Sequence, residues 1–295
     1  MSVTVAKTAG FCFGVRRAVD LAEQQAKQGG EIYAYGEIIH NMHEIARLEK
    51  MGVHTAQTIS GIPDGERVLI RAHGVARSVY DAFRQKNCEI YDATCPFVQK
   101  IHRIVDRESR DGRLVLILGK EGHPEVEGIA GWCTACKIFD SADSLKKWVT
   151  EERIAADLPI CMVCQTTSTE NLWKLCRNFA KKQFTNLKIF DTICKATEDR
   201  QTEAALLSRR SQAMVVVGDA KSSNTGRLAM ICREYCDRVA LVDDASELEP
   251  AFFAGITDVG ITAGASTPAW IIKEVNKTMS EITNVEAVQE ENFAE

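Results

Sequence analysis

Ile90-Tyr91-Asp92-Ala93-Thr94-Cys95 and Ile189-Phe190-Asp191-Thr192-Ile193-Cys194 share an apolar-aromatic opening, a central aspartate and a closing cysteine, 99 residues apart. A polar, helix-like stretch follows each, over 97–110 and 196–209, and then an apolar run ending in glycine, over 114–119 and 214–218. Next come His123-Pro124-Glu125 and Ser222-Ser223-Asn224, where His123 and Ser222 each lie 28 residues after the preceding cysteine. The same step from Cys12 reaches His40, so the interval recurs three times. A further polar station follows in each unit: Arg71-Ala72-His73-Gly74, Gln165-Thr166-Thr167-Ser168 and Gly264-Ala265-Ser266-Thr267. These stations lie 61, 71 and 72 residues after their cysteines. Self-similarity at a fixed period signals a repeat architecture.

Short β-rich runs that alternate with helical patterns predict parallel sheets with crossover helices. The expected fold is α/β: three similar small units with mostly parallel sheets, arranged pseudo-threefold around a central iron–sulfur cluster. The expected units are 13–95, 96–192 and 193–280, with 1–12 completing the third and a flexible tail over 281–295. In such sheets, ligands bind beyond the carboxyl ends of the strands. Each unit therefore offers a cysteine and two polar stations at one end.

The chain has 295 residues, 45% hydrophobic and 26% charged, with a net charge of −5. That is the balance of a globular chain with a core, and it argues against nucleic acid, which selects a basic face. The apolar runs fall short of the roughly 18 residues that a membrane span needs, and the first residues do not read as a signal peptide. A cytoplasmic protein without membrane contact is the expectation. No long apolar stripe demands a partner, so a monomer is expected.

Eleven cysteines in a reducing compartment do not read as a disulfide framework. Cys12, Cys95 and Cys194 stand at equivalent turns, which core packing alone does not require. Three thiolates are one short of the usual set for a 4Fe–4S cluster, and the shortfall leaves one iron open to water or substrate. Loss of that iron would give a 3Fe–4S cluster. A competing metal pattern exists: Cys133-x-x-Cys136 and Cys161-x-x-Cys164 approach the spacing of a zinc ribbon. It is weakened because residues three apart on a strand face opposite sides, and 160–165 reads as a strand.

His40, His73 and His123 are three of six histidines, and all fall on stations of the repeat. With Ser222, Ser223, Asn224 and Ser266 they can donate hydrogen bonds to an anion, as can the backbone at the starts of the helices that follow. Simple helix capping by the serines and the asparagine is compatible with that role. Glu125 is the carboxylate at its station and suits proton delivery if burial raises its pKa. Thr166 could orient or pass that proton.

Read together, Gly-Phe-Cys12-Phe-Gly-Val, Arg-Ala-His73-Gly-Val, Asp-Ala-Thr-Cys95-Pro and Gly-His123-Pro-Glu125-Val-Glu-Gly match one family in order. So do Gln-Thr166-Thr, Asp-Thr-Ile-Cys194-Lys-Ala-Thr197, Ser222-Ser-Asn224-Thr and Gly-Ala-Ser266-Thr-Pro. Over about residues 10–275 the chain closely resembles the LytB/IspH family. The resemblance implies reductive dehydroxylation of (E)-4-hydroxy-3-methylbut-2-enyl diphosphate to isopentenyl and dimethylallyl diphosphates, the last step of the methylerythritol phosphate route. It also implies a cluster on Cys12, Cys95 and Cys194, and Glu125 and Thr166 as the proton source. The diphosphate would lie among His40, His73, His123, Thr166, Ser222, Ser223, Asn224 and Ser266. Electrons would come singly from a ferredoxin- or flavodoxin-like donor, since the chain has no Gly-x-Gly-x-x-Gly run. The Cys-x-x-Cys pairs lie outside the family's motifs.

Overall fold

Along 160–164, Ile160, Met162 and Cys164 pack to one side while Cys161 and Val163 pack to the other. Leu116 and Leu118 divide from Val115 and Ile117 in the same way, as do Ala213, Val215 and Val217 from Met214 and Val216. Strands covered by apolar side chains on both faces are what parallel sheets flanked by helices require. The computed structural model describes residues 2–292, with side chains through residue 282.

Among the described residues the strands are β1 (Ser2–Val5), β2 (Ile32–Tyr35), β3 (Val53–Ala56), β4 (Arg67–Ile70), β5 (Glu89–Asp92) and β6 (Leu114–Leu118). They continue with β7 (Cys136–Phe139), β8 (Ile160–Cys164), β9 (Leu187–Ile189), β10 (Ala213–Val217), β11 (Arg238–Val242) and β12 (Asp258–Ala263). The helices are α1 (Phe13–Lys27), α2 (Met42–Glu49), α3 (Arg77–Gln85), α4 (Pro96–Arg110) and α5 (Pro124–Ala130). Then come α6 (Ala142–Glu151), α7 (Glu170–Gln183), α8 (Lys195–Ser208), α9 (Ser223–Tyr235) and α10 (Ala269–Asn292). Among these helices none is long and apolar enough to cross a membrane.

The strands form three four-stranded parallel sheets, ordered β3-β2-β4-β5, β7-β6-β8-β9 and β11-β10-β12-β1. The order is the same each time, and in the third sheet the last place is taken by the chain's first strand, with Ser2 opposite Asp258 and Val5 opposite Ile261. The fold is α/β, built from three similar parallel-sheet units. The chain divides into two compact bodies: one holds residues up to Phe13, His40–Glu44 and Lys195 onward, the other Gly14–Ile39 and Ile45–Cys194. The second body contains two of the sheets. Where a tail was expected from residue 281, α10 continues to Asn292 through the strong helix formers of 286–291. The remainder of that expected tail lies outside the described residues.

Candidate functional site

Each cysteine of the repeat ends a loop that leaves the last strand of a sheet. Cys95 follows β5, Cys194 follows β9 and Cys12 follows β1. The backbone N–H of each donates to a carbonyl of the neighbouring third-strand loop: Cys95 to Ala72 (3.0 Å), Cys194 to Thr166 (3.1 Å) and Cys12 to Ala265 (3.2 Å). Each cysteine therefore belongs with the sheet it closes, and the 28-residue step carries the chain into the next sheet. His40, His123 and Ser222 follow the first strands β2, β6 and β10; His73, Thr166 and Ser266 follow the third strands β4, β8 and β12. Within each sheet these are carboxyl ends, the usual ligand side of parallel sheets.

All three cysteines are partly exposed and immediately precede helices of 14 or 15 residues. Gly14 makes room for one of them: a Cβ there would lie 2.5 Å from the Cys95 Sγ. The loops are held from outside by groups the sequence did not single out. Arg17 donates to the carbonyls of Asp92 and Thr94, just before Cys95. Buried Arg200 donates to those of Thr8 and Gly10, while Glu203 accepts from the Lys7 and Thr8 amides and the Thr8 hydroxyl, just before Cys12. Thiols on loops held in this way, one of them with glycine clearance, are the donor type that suits an iron–sulfur cluster.

In the larger body, Glu125 is 3% exposed and bound at both oxygens by Thr166, whose N–H donates to Oε1 (2.6 Å) and whose hydroxyl donates to Oε2 (2.7 Å). Burial pushes the Glu125 carboxyl above its ordinary pKa, and the two Thr166 hydrogen bonds offset part of that rise. Since the Thr166 carbonyl receives the Cys194 amide, the carboxyl, the hydroxyl and the thiol loop are joined in one hydrogen-bonded chain. His123 caps α5, its Nδ1 accepting from the Glu125 N–H at 3.1 Å. An accepting Nδ1 carries no proton, so the ring is neutral and Nε2 is its donor. The His73 ring meets it edge-on, with centroids 5.6 Å apart.

In the other body, the Ser222 hydroxyl oxygen caps α9 by accepting from the Thr225 N–H, with Ser223 next in the first turn. The Asn224 Oδ1 accepts from the Ala265 N–H (3.1 Å), and its buried Nδ2 has no hydrogen-bond partner among the described residues. The Ser266 hydroxyl donates to the His40 carbonyl (2.9 Å), joining two further stations.

The remaining motifs fall elsewhere. Cys161 and Cys164 pack on opposite faces of their sheet. Among the described residues no three of Cys133, Cys136, Cys161 and Cys164 bring their sulfurs within 4.8 Å of one another, so they form no zinc set. Burial pushes both Cys161 and Cys164 up to about 12, so both stay protonated at neutral pH. His43 and His54 pair with the carboxylates of Asp243, Asp244 and Glu31. His102 is buried against Trp132.

The comparisons with known proteins agree over the whole length. The 4-hydroxy-3-methylbut-2-enyl diphosphate reductase of Geobacter sp. (strain M21) is 41% identical over 283 residues, 96% of this chain and 98% of the relative. That of a Nitratiruptor species is 38% identical over 283 residues, 96% and 99% of the two chains. Among solved structures, the E-1-hydroxy-2-methyl-but-2-enyl-4-diphosphate reductase from Plasmodium falciparum superposes with a TM-score of 0.87 at 25% identity, covering 94% of this chain and 86% of that one. A structure of (E)-4-hydroxy-3-methyl-but-2-enyl diphosphate reductase gives 0.69 at 35% identity, covering 95% and 100%. The family model described as LytB protein matches residues 3–280, all three sheets included, and the chain belongs to that family.

Proposed function

We propose that this chain is an iron–sulfur reductase that removes the hydroxyl of (E)-4-hydroxy-3-methylbut-2-enyl diphosphate with two electrons and two protons, giving isopentenyl and dimethylallyl diphosphates. The observation that carries the reading is the bonded chain from Glu125 through Thr166 to the Cys194 amide, a buried proton source tied to a thiol loop. Cys12, Cys95 and Cys194 would hold a 4Fe–4S cluster, leaving one iron without a protein ligand; loss of that iron would give 3Fe–4S. When bound, that cluster supplies single electrons and Lewis-acid polarisation of the departing hydroxyl.

The chain's own groups do the rest. Glu125, whose acid form burial favours, delivers the proton that turns hydroxyl into water, and the Thr166 hydroxyl orients and relays it. His40, His73, His123, Ser222, Ser223, Asn224 and Ser266 hold the diphosphate and so fix the allyl chain, which is catalysis by positioning. The Asn224 Nδ2 supports this role: a buried donor left unsatisfied costs about 1–3 kcal/mol, which an anionic oxygen would recover. A ferredoxin- or flavodoxin-like protein brings the electrons, and the enzyme works in the cytoplasm as a monomer.

The test is an anaerobic assay of the clustered protein with the allylic diphosphate and a one-electron donor. Two electrons consumed per product support the reading. Water loss without electron consumption would point instead to a non-redox dehydratase and sink it. A Mössbauer spectrum with and without substrate counts the irons and shows whether one of them changes coordination.

A further inference from the structure

Cys133 and Cys136 take no part in the site above, yet they are unlike the other cysteines that stay outside it. Cys133 lies in the turn that joins α5 to β7, Cys136 opens β7, and both are partly exposed. The two thiols lie close enough to interact, and the Cys133 S–H donates to the Ile129 carbonyl at 3.5 Å. Beneath them lies an apolar floor formed by Val115, Ile129 and buried Cys161. The turn is anchored at both ends. The Trp132 indole N–H donates to the Val75 carbonyl at 2.9 Å, and the Arg77 guanidinium covers its ring at 4.7 Å. Cys136 is itself paired with Val115 as the first residue of β7. The two sulfurs are thus held together by fixed backbone on both sides.

Cys161, Cys164 and Cys176 are pushed up to between about 11 and 12 by burial and remain thiols. The neighbouring Cys133 thiol lowers Cys136 to about 7, while Cys133 is raised by Cys136 and by burial. A thiol whose pKa is near ambient pH is the best attacking group in disulfide exchange.

The geometry points to Cys133 and Cys136 as a reversible redox pair, oxidised to an intramolecular disulfide by exchange with a small disulfide of the glutathione type. In the first step the Cys136 thiolate attacks one sulfur of the small disulfide; that S–S bond breaks and one thiolate leaves. Cys133 then gives up its proton and attacks the Cys136 sulfur, expelling the second thiolate. Two cysteine thiols are oxidised by two electrons, one disulfide is reduced to two thiols, and the two protons pass to those thiols. The sulfurs must close to about 2.05 Å, for which the side chains rotate within the turn 133–136. A ring spanning four residues removes little chain entropy from the unfolded state, so the bond is easily reduced again.

The holoenzyme, prepared without oxygen, is incubated with glutathione disulfide, alkylated and digested with trypsin. The fragment between Lys120 and Lys137 carries both cysteines and no other. It should become lighter by two hydrogens, and it should take up alkylating reagent again after mild reduction. Cys133→Ser should trap one glutathione on Cys136, whereas Cys136→Ser should leave Cys133 unmodified. The proposal is overturned if the fragment stays fully alkylated, if glutathione remains attached in the unsubstituted protein, or if Cys133 reacts equally well without Cys136.

Discussion

Replacing Glu125 by Gln keeps the volume and an acceptor for the Thr166 N–H, turns the Thr166 hydroxyl from donor to acceptor, and removes the transferable proton. We expect turnover to fall by about 10²–10⁴-fold, the usual worth of a general acid, while calorimetry still detects substrate binding. Because burial raises the Glu125 pKa, the acid form persists further towards neutrality, and turnover should decline as pH rises through that value. In Glu125→Gln this limb of the profile should be missing. Gly14→Ala is a sharper test of the thiol loops, because Ala in a helix normally gains about 1 kcal/mol over Gly. Here its Cβ would strike the Cys95 sulfur, so iron content should fall while the circular dichroism spectrum is unchanged. The stations themselves were legible, since side-chain type and spacing are written in the sequence. Arg17, Arg200 and Glu203 were not: they act on backbone groups from 75 to 196 residues away, and no pattern of residue types encodes that.

Strand β9 stops at Ile189, yet the chain keeps close to β8 for three more residues. Phe190 donates its N–H to the Met162 carbonyl, and Thr192 then replaces a ladder rung with its side chain. Its hydroxyl donates to the Cys164 carbonyl (2.6 Å) and accepts from the Cys164 N–H (2.8 Å). Thr192→Val keeps the shape but strands two buried backbone groups, so unfolding in urea should show a loss of about 2–4 kcal/mol. At this scale the strand and helix alternation was legible from apolar runs ending in glycine. The grouping of the cysteines was ambiguous. The 28-residue step joins Cys95 to His123, because a crossover helix has a set length, whereas the expected unit 13–95 ends on Cys95; the backbone hydrogen bond from Cys95 to Ala72 ties it to the loop after β4.

For the molecule as a whole, the body that contains β2 to β9 carries a pH limit in His102. Burial lowers its pKa to about 4 from 6.5, with Asp92 opposing weakly. The neutral ring is favoured in the fold, and an unfolded chain takes up a proton below 6.5 that the folded one refuses until about 4. Stability is therefore complete above pH 6.5 and should fall by about 3 kcal/mol as pH drops through that window. Denaturant titrations should show this slope, and His102→Leu should flatten it. The three similar units were legible from one recurring interval, whereas the strand order of their sheets and the division into two bodies left no mark in the sequence. The pairing of β1 with β12 has a further consequence, in time. A ribosome extends chains at roughly 5–20 residues per second, so Val5 waits about 13–50 s before Asp258 is made. During that interval β1 is without its partner strand β12, and the loop of Cys12 is without its Ala265 anchor. On the proposed function, loading of iron at that cysteine is thereby deferred until synthesis is nearly finished.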